Sequence, residues 1–263
     1  MRSSIRLCTA ILGPAFLRPT TARTSAFSSP CPNPIGLDHR RRQNPIFLRT
    51  LNSSRFAAAG AKLARMSGRG GYAEAQKLVS FSLSPTSALV IQKGDITKWS
   101  ADGSSDAIAN PANERMLGGG GADGAIHRAA GPELLEACYK VPEVRPGIRC
   151  PTGEARITPG FRLPASHVIH TVGPIYDADS NPQASLTNAY RNSLTVAKEK
   201  KLQYVAFPAI SCGVYGYPYD EAATIAISTI KESSDGLKEV HFVLFSDDIY
   251  NVWLSKAKEL LQQ

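Results

Sequence analysis

Two glycine-rich stretches hold the residues of this chain best suited to chemistry. The first runs from Asn110 to His127 and contains Asn113, then Gly118, Gly119, Gly120 and Gly121 in succession, then Ala122, Asp123 and Gly124. Four consecutive glycines remove every Cβ and admit positive φ. Backbone N–H groups can then approach an anion closely, and a helix pattern opening near Ala122 adds its positive end at the same place. The second stretch runs from Pro208 to Pro218 through Ser211, Cys212, Gly213, Val214, Tyr215, Gly216 and Tyr217. Gly213 and Gly216 free the backbone, and the two tyrosines supply flat faces for a sugar or base. Two such loops at one sheet edge suit a diphosphate held from both sides.

Other chemistries fit less well. Gly119, Gly121 and Gly124 match the dinucleotide fingerprint literally, but the acid it needs about 20 residues on would be Glu143, which lies in a Pro-rich loop rather than at a strand end. No P-loop, nucleophile elbow or H-E-x-x-H motif occurs. The cysteines Cys8, Cys31, Cys138, Cys150 and Cys212 show no ligand spacing. Cys8 and Cys31 fall in the N-terminal segment, and Cys138, Cys150 and Cys212 read as reduced thiols of an intracellular compartment. No metal and no cofactor is expected.

The elements that must position the loops alternate between strand and helix. Strands are predicted at 88–92, 106–109, 155–158, 167–171, 204–208 and 239–245, and helices at 122–130, 133–139, 184–200 and 219–233. Asp247 or Asp248 is expected to cap a last helix reaching Leu261. Such alternation predicts an α/β domain with a mixed or largely parallel sheet, whose ligands sit at the carboxyl ends of the strands. Both glycine loops follow strands.

The net charge of +8 is unevenly placed. Residues 1–70 carry eleven arginines and one lysine against a single acid, Asp38, whereas the rest holds eighteen basic and twenty-one acidic residues. The mildly acidic remainder is a poor match for a phosphate backbone, so no direct nucleic-acid binding is expected. Residues 1–65 have the composition of an organellar transit peptide, for mitochondrion or chloroplast, or of a disordered basic tail. Translation starting at Met66 would instead leave a cytoplasmic or nuclear product. Residues 66–80 read as a linker and 81–263 as the domain, which is expected to act as a monomer. No apolar run of about 18 residues occurs, so no membrane insertion is expected.

Several motifs occur in order: Gly94-Asp95-Ile96-Thr97, Asn110-x-x-Asn113, the stretch from Leu117 to Gly131, His170 to Pro174, and Phe207 to Pro218. In these the chain resembles a MacroD-type macrodomain, and it is similar to bacterial O-acetyl-ADP-ribose deacetylases from about Leu89 onward. The resemblance implies a three-layer α/β/α fold with a central mixed sheet and an ADP-ribose pocket. It implies that Asp95 accepts from the adenine amino group with Ile96 beside it, and that Phe245 packs on adenine. Gly119, Gly120, Gly121 and Ala122 belong to the first loop. Ser211, Cys212, Gly213, Val214 and Tyr215 form the diphosphate loop, with Tyr215 over the distal ribose. Asn113 bonds that ribose, and Asp123 faces the reacting carbon.

The activity implied is hydrolysis of ADP-ribosyl esters on acidic protein side chains and of O-acetyl-ADP-ribose, with Asp123 and Asn113 as catalytic residues. A carboxylate there can orient or deprotonate water, unless the substrate's own phosphate holds the water. A non-catalytic reader of ADP-ribosylation and an ADP-ribose 1″-phosphate phosphatase are the alternatives. The expected partners are ADP-ribose and ADP-ribosylated small molecules or proteins. His127, four residues after Asp123, reads either as a group that tunes the acid or as a packed helix histidine. His170 reads as structural. Two departures from the family pattern stand out: Pro111 replaces an alanine, and Cys212 replaces a threonine, placing a thiol beside the anion site.

Overall fold

The computed structural model describes residues 78–262. The expectations for residues 1–65, Met66, Cys8 and Cys31 lie outside them. Seven strands form one sheet in the order β1-β2-β7-β6-β3-β5-β4. They are β1 (Leu78–Ser84), β2 (Ser87–Lys93), β3 (Asp106–Pro111), β4 (Ala155–Pro159), β5 (His167–Thr171), β6 (Tyr204–Phe207) and β7 (Glu239–Leu244). The helices are α1 (Gly121–Ala130), α2 (Pro132–Tyr139), α3 (Pro182–Glu199), α4 (Tyr219–Ser233) and α5 (Asp247–Leu261), with a 3-10 turn at Ile96–Lys98.

The five central strands run parallel, and the edge strands β1 and β4 pair antiparallel to their neighbours. Alternation along the strands feeds two cores. Ala107, Ala109, Val205, Phe207, Val240 and Phe242 pack with α3, α4 and α5. Ile108, Ala206 and Val243 pack with α1 and α2 on the opposite face. Central strands buried on both faces are the mark of a layered parallel sheet, and the architecture is the three-layer α/β/α arrangement expected. Among the described residues no helix is long and apolar enough to cross a membrane.

Two local expectations are corrected. β1 begins at Leu78, inside the segment 66–80 read as linker. Its serines disguise an edge strand that buries Phe81 against the core. The last helix is capped by Ser246, whose Oγ accepts from the Ile249 N–H at 3.4 Å. Asp247 and Asp248 occupy its first turn instead, where a negative charge favours the positive helix end.

Candidate functional site

The parallel strands β2, β7, β6, β3 and β5 end on the same edge. The chain leaving each of them turns into one cavity of about 660 Å³, and every residue expected to bind ligand lines it. β3 delivers Asn113 and the first glycine loop, and β6 delivers Ser211 to Tyr215. β2 delivers Asp95 and Ile96, β7 delivers Phe245, and β5 delivers Gly173. This is the strand edge at which α/β folds place ligands.

The first loop bends back through Gly118 at φ 81° and Gly121 at φ 57°, conformations that cost glycine little. Gly120 precedes α1 in extended geometry with no side-chain cap, so the first turn of the helix offers its N–H groups to the cavity. The second loop is folded by its own backbone: Cys212 N–H donates to Ala209 O at 3.4 Å, Gly216 N–H to Gly213 O at 3.0 Å, and Tyr217 N–H to Ser211 O at 3.0 Å. Ser211 takes φ 64° despite its side chain, and its buried Oγ has no hydrogen-bond partner. Gly173 makes this packing possible, because a Cβ there would collide with Ser211 Oγ and Ile210 Cγ2. Tyr176 N–H donates to Tyr215 O at 2.9 Å, tying the loop to the segment after β5.

Asp123 and Asn113 both border Gly119. A Cβ on Gly119 would lie 3.0 Å from Asp123 Oδ2 and 3.4 Å from Asn113 Nδ2. Asn113 Nδ2 donates to Gly118 O at 3.0 Å, and its Oδ1 accepts from Arg115 N–H at 3.1 Å, so the amide braces its own loop. Asp123 is buried, and its Oδ1 accepts from Asn110 Nδ2 at 2.7 Å. Burial raises the Asp123 carboxyl above its ordinary value; the Asn110 bond and His127 oppose that rise without cancelling it. His127 Nε2 lies 3.4 Å from Asp123 Oδ1, near enough for attraction when protonated but without hydrogen-bond geometry. The Tyr215 phenol is held above its usual value by burial and by the charges of Asp123 and Glu114.

At the opposite end, Asp95 accepts from Thr97 N–H at 3.0 Å and from Thr97 Oγ1 at 2.7 Å. The Thr97 hydroxyl bond is the largest influence and, against partial burial, keeps the carboxyl below its ordinary value. Phe245 presents an 82% exposed ring to this end, and Val214, 99% exposed, overhangs the second loop. Neither ring nor isopropyl group has a packing reason to be there.

Three outcomes go beyond the sequence reading. Cys212 lines the cavity, and burial pushes its thiol up to about 12, which disfavours the nucleophilic thiolate. His127, Cys138 and His170, from α1, α2 and β5, converge with ligand atoms within 4.8 Å of one another, a grouping their sequence spacing does not announce. Both ring nitrogens of His170 are nevertheless engaged: Nδ1 meets Asn110 Nδ2 at 3.1 Å and Nε2 meets Thr158 Oγ1 at 2.9 Å. His170 is committed to hydrogen bonds. Finally, Asn110 and Gly173 belong to the site although sequence reasoning gave neither a role. Their signal was present, since both stand inside the motifs that carried the resemblance.

Comparison with known proteins agrees with this geometry. The Macro domain family model matches residues 109–226. A macro domain-containing protein of Xanthomonas campestris is 50% identical over 167 residues, spanning 62% of this chain and 91% of the relative. One from Vibrio parahaemolyticus is 51% identical over 166 residues, spanning 63% and 95%. The Oceanobacillus iheyensis macrodomain solved with ADP superposes with a TM-score of 0.66 at 44% identity, covering 71% of this chain and 98% of that one. The Trypanosoma brucei macrodomain in complex with ADP-ribose gives a TM-score of 0.55 at 38% identity, covering 64% and 68%. Sheet order, the two glycine loops and near-complete coverage of relatives at half identity lead to one assignment: the chain belongs to the macro domain family.

Proposed function

We propose that this protein binds ADP-ribose in the cavity and hydrolyses ADP-ribosyl esters, both those on acidic protein side chains and O-acetyl-ADP-ribose. Binding is supported by the neighbours of Oceanobacillus and Trypanosoma, which hold ADP and ADP-ribose. The diphosphate lies between the helix α1 N-terminus and the Ser211–Tyr215 loop. Asp95 and Phe245 take the adenine, and the distal ribose reaches Asn113, Asp123 and Tyr215.

The observation that carries hydrolysis is that Asn113 Nδ2 and Asp123 Oδ2 both border the bare Cα of Gly119, on the wall of the cavity. Asp123 Oδ1 is occupied by Asn110, so Oδ2 is the oxygen that takes a proton from an attacking water as the ester bond breaks. The products are ADP-ribose and a free carboxylic acid. A carboxyl raised by burial is a stronger base once ionised, which suits this role. Asn113 offers hydrogen bonds to ribose hydroxyls without adding charge. The backbone grip on the diphosphate fixes the ester against the acid, so orientation is supplied by binding.

The test is release of ADP-ribose from glutamate- or aspartate-modified protein, and of acetate from O-acetyl-ADP-ribose, by the wild type and by an Asp123→Ala, Asn113→Ala double variant. Wild-type rates no greater than the variant's, with ADP-ribose still bound, would leave a binding module and end the hydrolytic reading. We also propose that the arginine-rich residues 1–65 direct import into a mitochondrion or chloroplast. A fluorescent protein fused to that segment should enter the organelle, and uniform cytoplasmic signal would refute this.

A further inference from the structure

Behind the Asp123 carboxylate lies a buried polar chain that the hydrolytic reading does not use. Asn110, on β3, is fully buried; so is His170, on β5; and Thr158, on β4, is nearly so. Asn110 Nδ2 is 2.7 Å from Asp123 Oδ1 and 3.1 Å from His170 Nδ1, and His170 Nε2 is 2.9 Å from Thr158 Oγ1. An amide nitrogen has two protons and no lone pair to offer. Both short contacts of Asn110 Nδ2 are therefore donations, and His170 Nδ1 must be the acceptor. The ring proton then sits on Nε2, where it is donated to Thr158. A flipped Asn110 amide would set its oxygen against the ionised Asp123 carboxylate and lose that bond. The opposite face of the arrangement is costly, because Asn110 Oδ1 is buried without a partner; leaving such an acceptor unpaired costs about 1–3 kcal/mol.

We propose that Asn110 is a positioning residue for Asp123, and that His170 fixes the Asn110 amide in the orientation that holds the carboxylate. The proposal rests on the hydrolytic reading for its kinetic consequences but not for its geometry. Asn110 aims Oδ2 at the cavity by tethering Oδ1, and it favours the ionised acid that takes the proton. His170 suits its part because it stays neutral: burial, with the nearby His127 charge adding to it, lowers its pKa to about 3. The groups facing the cluster are His127 from α1, Cys138 from α2, Thr158 from β4 and Tyr215 from the second loop, with Arg149 acting on Cys138 and Glu114 on Tyr215. Among them Asp123 is the acid that Asn110 touches directly, its carboxyl raised by burial and drawn back by the Asn110 bond, so the acid limb of turnover reads the Asp123 environment.

The experiment compares wild type with Asn110→Ala, His170→Leu and His170→Asn, measuring kcat and KM for O-acetyl-ADP-ribose hydrolysis from pH 4.5 to 8.5 and calorimetric affinity for ADP-ribose. Asn110→Ala is expected to lower kcat by about 10- to 100-fold while KM and affinity change less than about threefold, and to move the acid limb to higher pH. His170→Leu should behave the same way. His170→Asn places an amide oxygen where Nδ1 stood and should restore kcat to within about threefold of wild type. An unmoved acid limb in Asn110→Ala, or His170→Asn no better than His170→Leu, overturns the proposal. Nitrogen-15 NMR of the wild-type protein gives a readout free of activity: His170 should show the Nε2–H tautomer, unchanged from pH 8 to 5. An Nδ1–H tautomer, or titration in that range, overturns it as well. Should no ester be cleaved by any form, the hydrolytic reading fails separately. Carbon-13 titration of Asp123 still decides the positioning claim, which requires a higher pKa in Asn110→Ala than in wild type.

Discussion

Asp123 Oδ2 and Asn113 Nδ2 both border Gly119, where a Cβ would lie 3.0 Å from the first and 3.4 Å from the second. Gly119 does not take positive φ, so alanine there imposes no backbone strain, only a methyl group 3.0 Å from the carboxylate. Gly119→Ala should therefore leave the melting temperature within about 2 °C of wild type but displace Asp123 by a few tenths of an ångström. A shift of that kind at a reacting centre is expected to cost about 10- to 100-fold in kcat. Steady-state hydrolysis of O-acetyl-ADP-ribose beside a thermal melt checks both halves; an unchanged kcat would mean that the space over Gly119 is not where the chemistry happens.

Function and stability should oppose each other at Asp123. Its folded carboxyl is raised, chiefly by burial. For an acid this means that ionisation destabilises the fold: the penalty is full above the folded pKa and vanishes as pH falls below the ordinary value of 3.8. Asp123→Asn keeps an acceptor for Asn110 and removes the charge. It should abolish turnover and raise the melting temperature at pH 7.5 by roughly 2–4 °C, the shift that about 1 kcal/mol produces in a domain this size. The gain should shrink as pH is lowered toward 4. A melting temperature that falls at pH 7.5 would contradict this account of the acid.

Asp106 predicts the opposite pH sign. It is fully buried at the start of β3, where it accepts N–H bonds from Ala101 at 2.8 Å, Asp102 at 3.2 Å, Gly103 at 2.9 Å and Ser166 at 2.8 Å. Burial alone would raise its pKa, but these backbone donors together overcome it and hold the carboxyl below 3.8. Its stabilisation is then complete above pH 3.8 and is lost as pH falls through the lower, folded value. Asp106→Ala strands buried N–H groups and should cost about 2–4 kcal/mol by urea titration at pH 7. The deficit relative to wild type should narrow below pH 4, and a deficit independent of pH would show that the carboxylate charge is not what holds the loop.

Much of the site was legible in the sequence because it is written in local backbone terms. Glycine runs, the strand before each and the helix after each are sequence-adjacent, and a parallel sheet carries every such loop to one edge. What escaped was what depends on packing between distant segments. Asn110, Thr158 and His170 are joined only because β3, β5 and β4 lie side by side, with Asn110 opposite His170 in the β3–β5 register. His170 in an apolar strand reads as structural until its neighbours are known. Likewise Gly173 is required by contact with Ile210 and Ser211, nearly forty residues on. β1 escaped for a different reason: an edge strand buries one residue in several, so its period is faint.

Phe245 separates ligand binding from folding most cleanly. The residue follows β7, and its ring is 82% exposed at the cavity mouth, whereas its neighbour Leu244 is fully packed in the core. An exposed ring contributes little to the folded state, since its removal from water has not occurred. Burial against a flat base would supply both apolar contact and stacking, about 0.5–1.5 kcal/mol for the stacking itself. Phe245→Ala is accordingly expected to weaken ADP-ribose binding by about 3- to 30-fold. The melting temperature of the free protein should stay within about 1 °C. Ribose 5-phosphate, which has no base, should bind the variant and the wild type equally, because its phosphate meets only the glycine loops. If calorimetry found the same loss for the baseless ligand, Phe245 would be acting through the loops rather than on the base.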